Sequence, residues 1–252
     1  MKTIAWDIWL YCNYDCKFCN AKTKNLPAKI HNVDEIFKAW ENIYKKYGKC
    51  KICITGGEPL LYPDINRIIE RISSIHYVHI TTNLSPDIDF LSNKNINKKN
   101  IFFNATFHPC YIDIKNFIDK VLKLKKYGYE ITVCYMNYVF QLAEFLNYKK
   151  IFNKYGFNMS LVSSFNSNKN YKILAGFIDN NSINLYNDKI GGFNNNKVCN
   201  AGVNYACVNE NGDAYSCSVM KVKLGNIFSN DFNFLNKSVE CNKNCIIFEK
   251  QY

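Results

Sequence analysis

Cys12, Cys16 and Cys19 stand in the run Cys-Asn-Tyr-Asp-Cys-Lys-Phe-Cys, a C-x3-C-x2-C spacing. Three thiolates this close can converge on one metal centre. A cubane iron–sulfur cluster has four irons and usually takes four cysteines. Three ligands therefore leave one iron open, and an open coordination site lets a metal centre act as a reagent. Zinc knuckles repeat C-x2-C or C-x2-H pairs, whereas no further cysteine follows here until Cys50. Two polar motifs come next along the chain. Ile54-Thr55-Gly56-Gly57-Glu58-Pro59 sets a glycine pair before a carboxylate, and Ile80-Thr81-Thr82-Asn83 ends an apolar run on two polar residues.

The cysteine run resembles the signature of the radical SAM superfamily. The second motif resembles that family's GGEP element, and the third its strand ending in T-N. The resemblance implies a 4Fe–4S cluster on Cys12, Cys16 and Cys19 whose open iron chelates the amino and carboxylate groups of S-adenosylmethionine (SAM). One electron then cleaves the sulfonium to methionine and a 5′-deoxyadenosyl radical, which abstracts hydrogen from a substrate. It further implies roles in binding SAM: Phe18 near the adenine, Gly56 and Gly57 for close backbone approach, and Glu58, ahead of Pro59, for the ammonium group. Thr82-Asn83 would contact the methionine or ribose part, and His108 the ribose or the substrate. Each has an ordinary structural reading too: a core aromatic, a turn, a strand-end cap, a loop histidine.

These residues need elements to hold them. Thr3–Leu10 reads as a buried strand that delivers the cysteine loop. Val33–Tyr47 has helical apolar spacing, with Asn32 as N-cap and Gly48 as stop. Lys51–Thr55 is a strand, Asp64–Ser74 a helix, and Tyr77–Thr82 and Ile101–Phe107 are strands. Ile112–Lys126 is a helix, Glu130–Met136 a strand, Val139–Tyr155 a helix and Phe157–Val162 a sixth strand. Alternation of this kind implies a parallel sheet. About six strand–helix units precede residue 165, short of an eight-unit barrel. The fold class is therefore α/β, a six-unit partial βα barrel of parallel strands. Chemistry in such folds sits at the carboxyl ends of strands, and all four motifs fall there. Residues 1–165 are expected to form the core and 166–198, rich in Asn, Ser and Gly, a bridging segment.

Residues 199–252 are expected to form a small hairpin-plus-loop extension that binds a second cluster. Asn211-Gly212-Asp213 is a hairpin turn signal between Cys199 and Cys217, and Cys241 and Cys245 supply a second pair. Four thiolates suit either a cubane or a tetrahedral zinc. The stretch resembles the SPASM/twitch extension of part of the superfamily through Cys199, Gly202, Gly212, Cys217 and Leu224-Gly225-Asn226-Ile227. The longer cysteine array of that extension is missing, which implies one auxiliary 4Fe–4S cluster on Cys199, Cys217, Cys241 and Cys245, with Cys207 as the competing ligand. Cys50 and Cys53 read as buried thiols. Cys110 and Cys134, near the ends of strands four and five, are candidate hydrogen donors to a product radical.

The chain has 252 residues and 12 cysteines and lacks the features of a signal peptide. No apolar run approaches a membrane span. These point to a reducing cytoplasm, where thiolates stay free for iron. The net charge is +11. Two clusters would lower it to about +8, which favours anionic partners; nucleic acid is argued against by the lack of a dense basic stretch with interleaved aromatics. The expected function is a redox enzyme that dehydrogenates or epimerises a sugar-like or other small polar substrate, supplied with electrons by a flavodoxin or ferredoxin. The alternatives are a maturase of ribosomally made peptides and a non-catalytic electron-transfer module.

Overall fold

Alternation in Thr3–Trp9 (β1) puts Ile4, Trp6 and Ile8 on one face, each no more than 1% exposed. That face is covered by Val33–Tyr47 (α1), whose Trp40 meets Trp6 edge-on with centroids 5.2 Å apart. Asn32 and Glu35 close a capping box at the start of α1, and Gly48 ends it at φ +71°. This computed structural model describes residues 1–16, 19, 29–137, 142–163, 197–218 and 220–241.

The alternation continues as Lys51–Gly56 (β2), Ile65–Ile75 (α2), Tyr77–Thr82 (β3), Ile101–Phe107 (β4), Ile114–Lys126 (α3), Glu130–Asn137 (β5), Leu142–Lys154 (α4) and Met159–Ser163 (β6). Helix α3 starts two residues later than its apolar pattern suggests. Asp113 takes the N-cap and accepts from the Asn116 amide at 3.0 Å, and a capping residue has non-helical backbone. Strands β1 to β6 pair parallel in sequence order. With crossovers of one hand, such an order keeps the helices on one face of the sheet. Phe107 of β4 accordingly packs against Phe117 of α3 and Phe152 of α4. The opposite face carries polar residues in register: Asp7 beside Thr55, and Thr81 beside Asn104 beside Thr132.

The tail contributes Lys197–Cys199 (β7), Tyr205–Val208 (β8), Asp213–Tyr215 (β9), Lys223–Asn226 (β10) and Val239–Cys241 (β11). Strand β8 pairs parallel with the free edge of β1, and β9 and β10 follow antiparallel, so one sheet of nine strands runs through both parts. The tail also packs on α1. Lys46 Nζ donates to Phe232 O, the Tyr47 hydroxyl accepts from the Phe234 amide, and Phe232 and Phe234 sit edge-on to the Tyr47 ring. Strands β7 and β11 form a separate antiparallel pair. All but the last two residues of the expected bridging segment lie outside the described residues. No described helix is long and apolar enough to cross a membrane.

Candidate functional site

The cysteine loop leaves β1 at Trp9 and is at once tied to the glycine turn that leaves β2. The Gly57 amide donates to Trp9 O at 2.9 Å, and the Glu58 amide to Tyr11 O at 2.8 Å. The Trp9 indole donates to Glu58 O at 2.8 Å. Two chains this close leave no room for side chains. A Cβ on Gly56 would lie 2.0 Å from Trp9 O, and one on Gly57 2.0 Å from Tyr11 O. The glycine pair makes room for the root of the cysteine loop.

Glu58, expected to face an ammonium group, is 1% exposed. Its Oε1 accepts from the Thr82 hydroxyl (2.7 Å) and the Leu60 amide (3.0 Å), and its Oε2 from the Asn83 amide (2.7 Å). The carboxylate thus locks the end of β3 to the GGEP turn, whose buried Pro59 opens a short 3-10 turn. Burial pushes the Glu58 carboxyl up to about 7, against the pull of these hydrogen bonds.

Asn83 carries the connection on to the cysteines. Its Nδ2 lies 3.7 Å from Cys12 Sγ and 3.3 Å from Asn13 Oδ1, and Ser85 Oγ donates to the same Asn13 oxygen. The 84–86 turn is held from behind by Lys120 of α3, whose ammonium donates to the carbonyls of Leu84, Ser85 and Pro86 at 2.7, 2.8 and 2.9 Å. Nothing in the sequence distinguishes Lys120 from the other lysines of α3. From β4, His108 Nδ1 lies 3.7 Å from Cys16 Sγ. Burial depresses the imidazole to about 4, so it is neutral at pH 7.

The three cysteines fit a cluster. Each is half-buried, and the Cys12 sulfur accepts from the Tyr14 amide at 3.4 Å. The Cys16 thiol is pushed up to about 11, first by burial and then by the negative charges of Cys12, Cys19 and Cys110. That mutual repulsion is what a cationic iron core offsets. Among the described residues no three His, Cys, Asp or Glu side chains are gathered as ligands of a single ion. A cubane makes no such demand, because its thiolates bind different irons. Phe18 lies outside the described residues.

In the tail, the Cys199 sulfur accepts from the Ala201 amide at 3.3 Å and the Cys217 sulfur from the Met220 amide at 3.1 Å. Cys199 pairs with Val239, two residues before Cys241, so Cys199 and Cys241 share a face of the β7–β11 ribbon. Gly202 abuts Ser216, which brings the turn after Cys199 against the neighbour of Cys217. Cys245 lies outside the described residues. Cys207 differs: burial pushes it up to about 11, and its thiol donates to the Tyr205 hydroxyl. Burial likewise holds Cys50, Cys53 and Cys134 up at about 11. The two candidate hydrogen donors part company, because Cys134 is buried within β5 while Cys110 is exposed in the turn after β4, near Cys16.

A family model described as "Radical SAM superfamily" matches residues 7–142. The GTP 3',8-cyclase of Aquifex aeolicus (strain VF5) is 37% identical over 78 residues, which are 29% of this chain and 24% of the relative. That of Lactiplantibacillus plantarum is 40% identical over 79 residues, 29% of this chain and 23% of the relative. The chain thus spans about a quarter of the length of the curated relatives it matches. Among solved structures, native anSMEcpe with bound AdoMet and Kp18Cys peptide has a TM-score of 0.64 at 16% identity, covering 92% of this chain and 80% of that one. Streptococcus suis SuiB bound to S-adenosylmethionine has a TM-score of 0.57 at 18% identity, covering 91% and 62%. At these identities the likeness is one of fold.

Proposed function

Because the chain belongs to the radical SAM superfamily, we propose that it is an enzyme that cleaves SAM at a cluster held by Cys12, Cys16 and Cys19. The observation that carries this reading is the meeting of four strand ends. The cysteine loop, the GGEP turn, Asn83 and His108 are joined by hydrogen bonds at the carboxyl edge of β1 to β4. When bound, the cluster and SAM supply one-electron cleavage of the sulfonium and a 5′-deoxyadenosyl radical that abstracts hydrogen. The chain's own residues orient and enclose. Glu58 fixes the GGEP turn against β3, Asn83 presents an amide beside Cys12, and Lys120 keeps the 84–86 turn from moving away. In this reading six βα units form a partial barrel, and its polar inner face from Asp7 to Thr132 receives the substrate.

The reading extends to a second 4Fe–4S cluster on Cys199, Cys217, Cys241 and Cys245, supported by the amide-capped sulfurs of Cys199 and Cys217. The substrate we infer is a peptide, which neighbours of this fold solved with peptides support: anSMEcpe with Kp18Cys and SuiB with its precursor peptide SuiA. The sugar-like substrate, dehydrogenated or epimerised, is the second reading and rests on the short cysteine array of residues 199–245 alone. A cytoplasmic flavodoxin or ferredoxin would supply the electron in either case.

Anaerobic reconstitution tests this. Wild type should hold ~8 irons and a Cys12/Cys16/Cys19→Ala variant ~4, and only wild type should release 5′-deoxyadenosine from SAM and reductant. Zinc in the tail with no more than ~4 irons in wild type would remove the auxiliary cluster. A fully loaded protein that never cleaves SAM would leave the electron-transfer module standing. Turnover of a peptide encoded beside the gene, set against a nucleotide sugar or cyclitol, separates the substrate readings.

A further inference from the structure

Tyr14 and Tyr111 have no part in the reading above, and His108 enters it only as a strand-end residue. All three surround one sulfur. His108 Nδ1 lies 3.7 Å from Cys16 Sγ. The Tyr111 side chain hydrogen-bonds the same thiol. The Tyr111 ring stacks on Tyr14, in the cysteine loop itself, with centroids 4.4 Å apart and planes within 12°, and His108 meets the edge of Tyr14 at 5.6 Å.

The donors are held in place. The His108 carbonyl accepts from the amides of Tyr111 (2.9 Å) and Ile112 (3.2 Å), which closes the turn His108-Pro109-Cys110-Tyr111 on itself. Pro109 presets φ at its second position. Tyr14 is 8% exposed and forms the floor against which the turn rests.

We propose that the turn 108–111 is a hydrogen-bond collar on the Cys16 ligand and that it sets the reduction potential of the cluster. This rests on the reading that Cys16 binds iron. A thiolate pushes negative charge onto its iron. A donor aimed at the sulfur draws part of that charge back and favours the reduced, more negative cluster, so hydrogen bonds to cluster sulfurs raise the potential. His108 and Tyr111 are positioning and tuning residues here. Removing either donor should make the cluster harder to reduce without removing a ligand. Nδ1 is the ring nitrogen that faces the sulfur, and it is the donor in the tautomer that carries its proton there.

The test is a potentiometric titration followed by electron paramagnetic resonance, reading the signal that changes when SAM is added. Tyr111→Phe deletes one hydroxyl and keeps the ring on Tyr14. His108→Ala deletes the imidazole, and His108→Gln restores an amide donor. Expected are wild-type iron content in Tyr111→Phe, a midpoint shifted to more negative potential in Tyr111→Phe and His108→Ala, a larger shift in the double variant, and partial recovery in His108→Gln. If His108→Ala does not load, Tyr111→Phe decides alone. An unmoved midpoint in fully loaded Tyr111→Phe overturns the collar, and so does loss of iron from that variant, because a tuning donor is not needed for assembly. A wild type that binds no cluster at Cys16 is a different result, and it overturns the underlying reading.

Discussion

Replacing Gly57 by alanine isolates the contact on which the site is built. Gly57 has no left-handed backbone to satisfy, unlike Gly56 at φ +127°, so the cost is steric alone. The new Cβ would stand 2.0 Å from Tyr11 O, 2.4 Å from Tyr11 C and 2.7 Å from Leu10 O, against an ordinary contact of 3.4 Å or more. All three atoms are backbone and cannot rotate away. The two chains must separate by about 1.4 Å, which stretches the bonds from Gly57 N to Trp9 O and from Glu58 N to Tyr11 O past hydrogen-bonding distance. Losing two buried backbone bonds costs about 1 kcal/mol each, and forcing atoms into a packed site adds ~1–3 kcal/mol. The expected loss is about 3–5 kcal/mol, roughly 10 °C in melting temperature for a chain of this size. Gly128→Ala is the control, with φ +93° but nothing within 4 Å, so it should cost only ~1–2 kcal/mol of backbone strain. Urea unfolding of the two unloaded variants at matched m-values measures the difference. If Gly57→Ala unfolds within about 1 kcal/mol of Gly128→Ala, close approach to the loop root is not why a glycine stands there.

Three further outcomes are expected. The Glu58 carboxyl is raised in the folded chain to about 7 from 4.5, so the folded state holds this proton more tightly than the unfolded one. Its contribution is fully present below pH ~4.5 and is lost as pH rises to ~7, by about 3 kcal/mol; Glu58→Gln should flatten that slope in urea titrations, and an unchanged slope would reassign the effect. Lys120→Met keeps the aliphatic stem but releases three carbonyls; SAM should bind about tenfold more weakly by calorimetry, ~1.4 kcal/mol, and equal affinity would show that the 84–86 turn holds itself. Gly212→Ala sets a Cβ 2.2 Å from the Phe228 ring, which stacks on His31 at 3.8 Å; it should cost ~2–4 kcal/mol, and less when Phe228 is also cut to alanine, whereas simple additivity would mean the two do not share a contact.

Much of the architecture was readable from local pattern. The strands Tyr77–Thr82 and Ile101–Phe107 and the helix Val33–Tyr47 have the bounds that their periodicity and caps imply, because such signals lie within a few residues of the element they specify. The hairpin around Asn211-Gly212 was equally legible: Gly212 adopts φ +83° and the β8–β9 ladder closes over it. What residue types could not convey is what each polar group meets across the chain.

The sequence by itself determined the family, the parallel alternation and which motifs fall at strand ends, since each follows from spacing along the chain. Tertiary structure decided the rest. It placed β8 on the open edge of β1, over two hundred residues away in places. It turned the GGEP glycines toward the cysteine loop and the Glu58 carboxylate toward β3, and it brought His108 and Tyr111 onto Cys16 and Lys120 behind the 84–86 turn. The physical reason is common to all of these. A hydrogen bond or a van der Waals gap between distant segments depends on register and packing, which no short window of sequence encodes.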